Sequence, residues 1–207
     1  MPALSQILEH KIVAILRDIW PNDILPIVNA LYEGGVSIVE VTLNSTDALS
    51  VIENLSHTLN DKILIGAGTV LNSTDARNAI AAGAKFLISP SLDIEVIKAA
   101  KDAGVVSIPG AFTPTEILIA FKNGADIVKI FPALNPGYIK NILAPLNHIP
   151  VMPTGGINLD NIVEFNKTGA VAFGIGSSLV ENKTIMDEAY LQNVTARARK
   201  FIEAIQS

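Results

Sequence analysis

Five times along the chain a small or polar residue and a glycine are followed by alanine or valine and then by a short apolar run. These are GGVSIVEV at Gly35, AGAKFLIS at Gly83, AGVVSIPG at Gly104, NGADIVKI at Gly124 and TGAVAFGI at Gly169. Gly83, Gly104 and Gly124 lie one βα unit apart, and the wider gaps fit two units. Each glycine closes a helical stretch, as a C′ residue in the left-handed conformation does, and a buried strand begins just after it. Filling the gaps gives eight strand candidates, at 11–17, 36–43, 62–70, 85–90, 105–112, 126–132, 150–154 and 170–176. Helical patterns lie between them at 23–32, 46–59, 73–82, 93–102, 115–123 and 159–166, and a last helix covers 185–205. Ser73 and Thr115 are candidate helix caps, and Pro114 fits a helix start. Strict alternation with eight strands predicts the α/β class and a closed (β/α)₈ TIM barrel, with 1–207 forming a single domain. A doubly wound sheet is the alternative; it carries fewer strands and needs no count of eight.

Composition agrees with that class. Charged residues make up only 17% of the chain, below the usual quarter or so, which predicts strands covered on both faces and an oligomer interface. No run approaches the roughly 18 apolar residues of a membrane span, so no membrane partner is expected. The first ten residues carry acid and lack a signal-peptide pattern, which predicts a cytoplasmic protein. With no cysteine there is no disulfide framework, thiolate nucleophile or cysteine metal site. A net charge of −5 without a basic run argues against nucleic acid, yet a local phosphate site built from backbone amides stays open.

In a barrel of this kind the chemistry sits where the strands end. Lys129 lies inside the otherwise apolar run DIVKIFPA, and a lysine is almost never fully buried without a reason. Burial disfavours its ammonium form and frees a neutral amine for attack on carbonyl carbon. Strand alternation puts Lys129 on one face with Ile127 and Phe131, and Glu40 on one face with Ile38 and Thr42. If both faces point inward, an amine and a carboxylate converge in an apolar cavity. The alternative is a buried salt bridge that only fills space, although such pairs contribute little net stability. Arg17 ends the first strand and either clamps a substrate carboxylate or pairs with Glu40. Thr69 and Pro90 stand at the ends of the third and fourth strands.

A second constellation closes strands seven and eight: Thr154-Gly155-Gly156 and Gly174-Ile175-Gly176-Ser177-Ser178. Glycines let backbone N–H groups approach a phosphate and hydroxyls add donors; tight turns are the other reason for glycine there. His10, His57 and His148 precede a strand, end a helix and lie in a turn, so a histidine metal or triad site is not expected. Without a metal cluster, carbonyl activation falls to an iminium. On the residues alone two rivals remain: a phosphosugar isomerase or phosphate-ester synthase, and a catalytically silent phospho-ligand-binding protein.

With these residues placed, the chain resembles the class I 2-keto-3-deoxy-6-phosphogluconate (KDPG) / 4-hydroxy-2-oxoglutarate (KHG) aldolase family. The resemblance runs from Lys11 to Val180 and rests on KIVAILR, EGGVSIVEVTL, IGAGTV, AGAKFLISP, a Pro-Gly before the Thr-Pro-Thr-Glu helix start, KIFPA and PTGGI. It implies Lys129 as the Schiff-base lysine and Glu40 as the acid/base. Substrate contacts would fall to Arg17, Thr69, Pro90, Phe131 and Thr154, and phosphate binding to Gly155, Gly156, Gly176 and Ser177. It further implies a homotrimer, no cofactor or metal beyond the covalent lysine adduct, and a phosphorylated 2-keto sugar acid and pyruvate as partners. One position departs from the gluconate branch, where arginine often follows Glu-Val-Thr-Leu and this chain has Asn44. Asn-Ser there is similar to the branch acting on the galactonate epimer, which usually has proline where this chain has Thr42. The gluconate epimer is the expected substrate, with the galactonate epimer or 4-hydroxy-2-oxoglutarate as alternatives.

Overall fold

Short, fully buried strands alternate with helices throughout the computed structural model, which describes residues 1–59, 61–181 and 186–206. The order is α1 (Ala3–His10), β1 (Ile12–Leu16), α2 (Pro21–Glu33), β2 (Ile38–Thr42), α3 (Ala48–Thr58), β3 (Leu64–Gly68), α4 (Ser73–Ala81), β4 (Phe86–Ile88) and α5 (Ile94–Asp102). It continues through β5 (Val106–Ile108), β6 (Gly110–Ala111), α6 (Pro114–Lys122), β7 (Val128–Ile130), α7 (Pro136–Leu143), β8 (Val151–Pro153), α8 (Ile162–Asn166), β9 (Phe173–Ile175) and α9 (Glu188–Gln206).

Every registered strand pair is parallel, in sections ordered β5-β4-β3-β2-β1-β9 and β6-β7-β8. The predicted strand 105–112 is broken at Pro109, which has no N–H to give to a ladder. Its carbonyl still accepts from the Lys129 amide at 2.9 Å, and the Ser107 carbonyl accepts from Asp126 at 3.0 Å, so both sections run on through this point. At the other edge Val171 N–H donates to the Val151 carbonyl at 3.0 Å, and Thr154 bridges Gly174. The sheet is therefore curled.

Period-two alternation divides the core into two layers. Val13, Ile38, Leu64, Phe86, Val106, Ile127 and Met152 belong to an inner cluster, six from within β1, β2, β3, β4, β5 and β8 and Ile127 from just before β7. Their neighbours, such as Ile12, Val39, Ile65 and Val128, join the outer layer that packs beneath the helices. Ile7 of α1, fully buried, adds itself to the inner cluster and plugs the end where the strands begin. The opposite end is left for side chains that are not needed for packing.

The five repeat glycines all adopt positive φ, from 68° at Gly104 to 101° at Gly83, as C′ residues do. Two helix starts differ from the sequence expectation. Asn72, not Ser73, caps α4, its side-chain oxygen accepting from the amides of Thr74 and Asp75. Thr113, not Thr115, caps α6 in a capping box with Glu116, and Pro114 occupies the first turn. Helices α1 and α7 were not among the helical patterns of the sequence, although Asn135-Pro136 is a cap followed by a first-turn proline. The last helix begins at Glu188; residue 185, where it was expected to start, lies outside the described residues. Among the described residues no helix is long and apolar enough to cross a membrane.

Candidate active site

Glu40 and Lys129 come from opposite sides of the curled sheet, each two residues beyond an inner-cluster isoleucine, Ile38 and Ile127. Alternation therefore carries both side chains inward, and both are buried, Glu40 at 1% and Lys129 at 4% exposure. Room for the carboxylate comes from the neighbouring strand. A methyl group at Gly68 would stand 1.7 Å from Glu40 Oε1, so only glycine fits opposite it. Lys129 faces Gly110 in register, and Gly110 in turn lies against the backbone of Pro90.

The two groups do not close on each other. No ion pair within 4 Å joins them among the described residues, and Glu40 Oε2 is buried without a hydrogen-bond partner. A space-filling salt bridge would be closed and saturated, so this arrangement disfavours that reading. Burial holds the Lys129 ammonium below its ordinary 10.5; the Glu40 charge opposes the shift and the Arg17 charge adds to it. Burial likewise raises the Glu40 carboxyl above 4.5, against the pull of Lys129 and Arg17. The Lys129 ammonium sits 4.9 Å from the centre of the Phe131 ring, which shields one side of it.

Beside Phe131 opens a cavity of about 430 Å³, whose lining includes neither Glu40 nor Lys129. Seven of the predicted residues line it: Arg17, Phe131, Thr154, Gly155, Gly156, Gly176 and Ser177. Phe131 connects it to Lys129, and Ile15, also in its wall, is the register partner of Glu40. Thr69 and Pro90 are outside the lining and half-buried beside the pair, Thr69 following Gly68 with φ +56°. Arg17 is exposed, its guanidinium free to meet a ligand from solvent.

The glycine loops are built to present amides. Gly155 and Gly156 have φ of 89° and 77°, a left-handed pair that residues with side chains rarely adopt. Their loop is tied from outside: Asn161 Nδ2 donates to the Gly156 carbonyl at 2.8 Å, and Ser178 Oγ donates to the Ile157 carbonyl at 2.6 Å. Asn161 Oδ1 accepts from the Asn158 amide at 2.9 Å. With those carbonyls engaged, the remaining amides are available to an anion, as in a backbone nest.

Sequence reasoning missed Asp18, Ile157, Asn158 and Val180 in the cavity wall, and Asn161 behind it. The run Asn158-Leu-Asp-Asn161 before a helix was a legible turn signal; Asp18 carried none beyond following Arg17. A separate hollow of about 350 Å³, among Met1, Gln6, Ser56 and Lys85, lies where β3 and β4 begin and contains neither cluster. His148 packs edge-on to Phe121 with ring centres 5.5 Å apart, away from the site. Among the described residues no group of three or more histidine, cysteine, aspartate or glutamate side chains is arranged to hold a metal ion.

Comparison with known proteins finds the same kind of molecule repeatedly. The family described as KDPG and KHG aldolase matches residues 4–196. A probable 2-dehydro-3-deoxy-6-phosphogalactonate aldolase of Rhizobium meliloti is 37% identical over 175 residues, 83% of this chain and 82% of its own. A 2-dehydro-3-deoxy-phosphogluconate aldolase of Haemophilus influenzae is 33% identical over 206 residues, 98% of this chain and 96% of its own. Among solved structures, KDPG aldolase from Legionella pneumophila, with pyruvate captured as a covalent carbinolamine, superposes with a TM-score of 0.83 at 28% identity. That match covers 95% of this chain and 96% of the other.

Proposed function

The chain belongs to the KDPG and KHG aldolase family, and from that premise we propose that it is a class I aldehyde-lyase with Lys129 as its Schiff-base residue. Its substrate is 2-keto-3-deoxy-6-phosphogluconate, cleaved reversibly to pyruvate and glyceraldehyde 3-phosphate. One observation carries the reading: a buried lysine, its ammonium disfavoured, opposite a buried carboxylate with one oxygen unbonded, and joined through Phe131 to a cavity walled by glycine loops.

Neutral Lys129 attacks the C2 keto carbon, and the carbinolamine loses water to give an iminium. The cationic nitrogen takes the electron pair of the C3–C4 bond as Glu40 accepts the proton of the C4 hydroxyl. Glyceraldehyde 3-phosphate leaves, and the enamine is protonated at C3 and hydrolysed to pyruvate. Glu40 also moves the protons of the dehydration step. Arg17 and Thr69 orient the substrate carboxylate, while Pro90, Phe131 and Thr154 shape the pocket around the reacting carbons. Gly155, Gly156, Gly176 and Ser177 hold the phosphate, turning remote binding into alignment at C2 and C4. The reaction so written needs no cofactor or metal, since the iminium is the electron sink.

A second substrate reading is favoured by Asn44, which is exposed just after β2 and supplies no guanidinium: the galactonate epimer. The test has two arms. Borohydride reduction in the presence of pyruvate adds a mass label to Lys129 and none to Lys129→Ala, which also loses at least about a thousandfold in kcat. Labelling elsewhere would sink the mechanism. Pyruvate release from each purified epimer ranks the substrates, and faster turnover of the galactonate epimer would replace the gluconate assignment.

The whole assembly follows the same reading. Counting β5 and β6 as one strand interrupted at Pro109 gives eight, so the curled sheet is taken as a (β/α)₈ barrel of one domain. The exposed Trp20, Leu71 and Leu134 and the low charge suit the homotrimer that the resemblance implies. Sedimentation at three times the 22.0 kDa chain mass checks it, and a monomer would exclude it.

A further inference from the structure

Four groups, two at the ends of β1 and β2 and two in the turns that follow them, form one hydrogen-bond path around Arg17. The Asp18 amide donates to Ser45 Oγ at 2.9 Å, Ser45 Oγ lies 2.9 Å from Thr42 Oγ1, and Thr42 Oγ1 donates to the Leu16 carbonyl at 3.3 Å. Each hydroxyl has a single proton, so the direction is set. Thr42 spends its proton on Leu16, and Ser45 therefore donates to Thr42 while accepting from Asp18. The path begins and ends on the two residues that flank Arg17. It holds the Leu16 carbonyl and the Asp18 amide to the end of β2, which also carries Glu40, two residues before Thr42 on the same face.

Such a clamp has a reason to exist. Asp18 has φ +54°, a left-handed conformation that side-chain-bearing residues seldom take, so the turn after Arg17 is held rather than relaxed. Arg17 itself is exposed at the cavity and makes no ion pair within 4 Å among the described residues. Among the described residues no hydrogen bond or ion pair holds its side chain, so the backbone on either side of it bears on its direction. Ser45 is the node of that constraint, and it is secured by its own amide, which donates to the Thr42 carbonyl at 3.0 Å.

We propose that Ser45, with Thr42, is a positioning residue for the reaction: it does not touch substrate, but fixes the backbone on both sides of Arg17 so that the guanidinium meets the substrate carboxylate. The inference rests on the assignment of Arg17 to that carboxylate. Its test is a double-mutant cycle. Ser45→Ala is expected to raise KM for the sugar acid about fivefold, the worth of one hydrogen bond, with kcat little changed. Ser45→Thr, which keeps the hydroxyl, restores KM. In an Arg17→Met background Ser45→Ala has no further effect on KM. Hydrogen exchange at the Asp18 amide quickens in Ser45→Ala, a readout independent of turnover. Equal KM effects of Ser45→Ala in both backgrounds, or no effect while Arg17→Met raises KM, would overturn the clamp alone. An unchanged KM in Arg17→Met would overturn the Arg17 assignment and the clamp with it.

Discussion

At the scale of single residues, reactivity here is a matter of which charges surround one amine. The Lys129 ammonium is disfavoured first by burial, is favoured by Glu40, and is disfavoured again by Arg17. Iminium formation requires the neutral amine, so at saturating pyruvate the rate of borohydride-trappable adduct formation rises with pH through a midpoint below 10.5. The two neighbours act with opposite sign. Arg17→Met removes a cation that repels the ammonium, so the lysine holds its proton longer and the limb moves to higher pH. Glu40→Gln removes the carboxylate that attracts it, and the limb moves to lower pH. A pH profile of the trapping rate in the three proteins reads both shifts, and a limb that stays put in both variants would remove Arg17 and Glu40 from the lysine's field. Lys129 and Glu40 were legible in the sequence because alternation within a strand is local: a charge two residues after a core isoleucine must share its face. Ser45 was not legible, because its partner Asp18 lies 27 residues away and meets it only once β1 and β2 are paired.

At the scale of elements, the same locality explains which parts of the fold could be read. A glycine after a helix and an apolar run after the glycine are short-range signals, and all five repeat glycines are left-handed as expected. The break between β5 and β6 is also a local consequence of Pro109, yet its effect depends on the neighbouring strand, whose Lys129 amide still finds the proline carbonyl. Helix α1 is different in kind. Its fully buried Ile7 is explained only by the inner cluster it plugs, which no window of sequence contains. The glycines of β3 belong to the same class. Gly66 makes space for the Phe86 ring, whose nearest atom would lie 2.3 Å from an added methyl, and Gly68 makes space for Glu40. In sequence, GAG reads as flexible backbone; in the folded sheet both residues are there for volume. The strand ends thus differ by composition: bulky apolar groups at the plugged end, and small residues around charged ones at the other.

At the scale of the whole molecule, that asymmetry sets function against stability. Two ionisable groups are held where their charged forms are penalised, and the pH dependence of unfolding follows from the direction of each shift. Glu40 has a raised folded pKa, so its contribution is fully present below 4.5 and is lost as pH rises through the folded value. Lys129 has a lowered folded pKa, so its contribution is present above 10.5 and is lost as pH falls through the folded value. Both losses are therefore felt together between those limits, near-neutral pH included. Replacing the pair together by Glu40→Gln and Lys129→Met removes both penalties while keeping the volumes. The double variant is expected to be more stable than the parent near neutral pH, by about 1–4 kcal/mol as found when other buried charge pairs are replaced, and inactive. The gain should shrink in part toward pH 4.5, where the Glu40 share of the penalty disappears and the Lys129 share stays, and in part toward pH 10.5, where the Lys129 share disappears and the Glu40 share stays. Subtracting the parent's thermal-melt profile across pH from the variant's cancels the other titrating groups, which the two proteins share. A difference that is flat with pH would mean that packing, not ionisation, separates them; a loss of stability near neutrality would mean that the amine and the carboxylate help to hold the fold together.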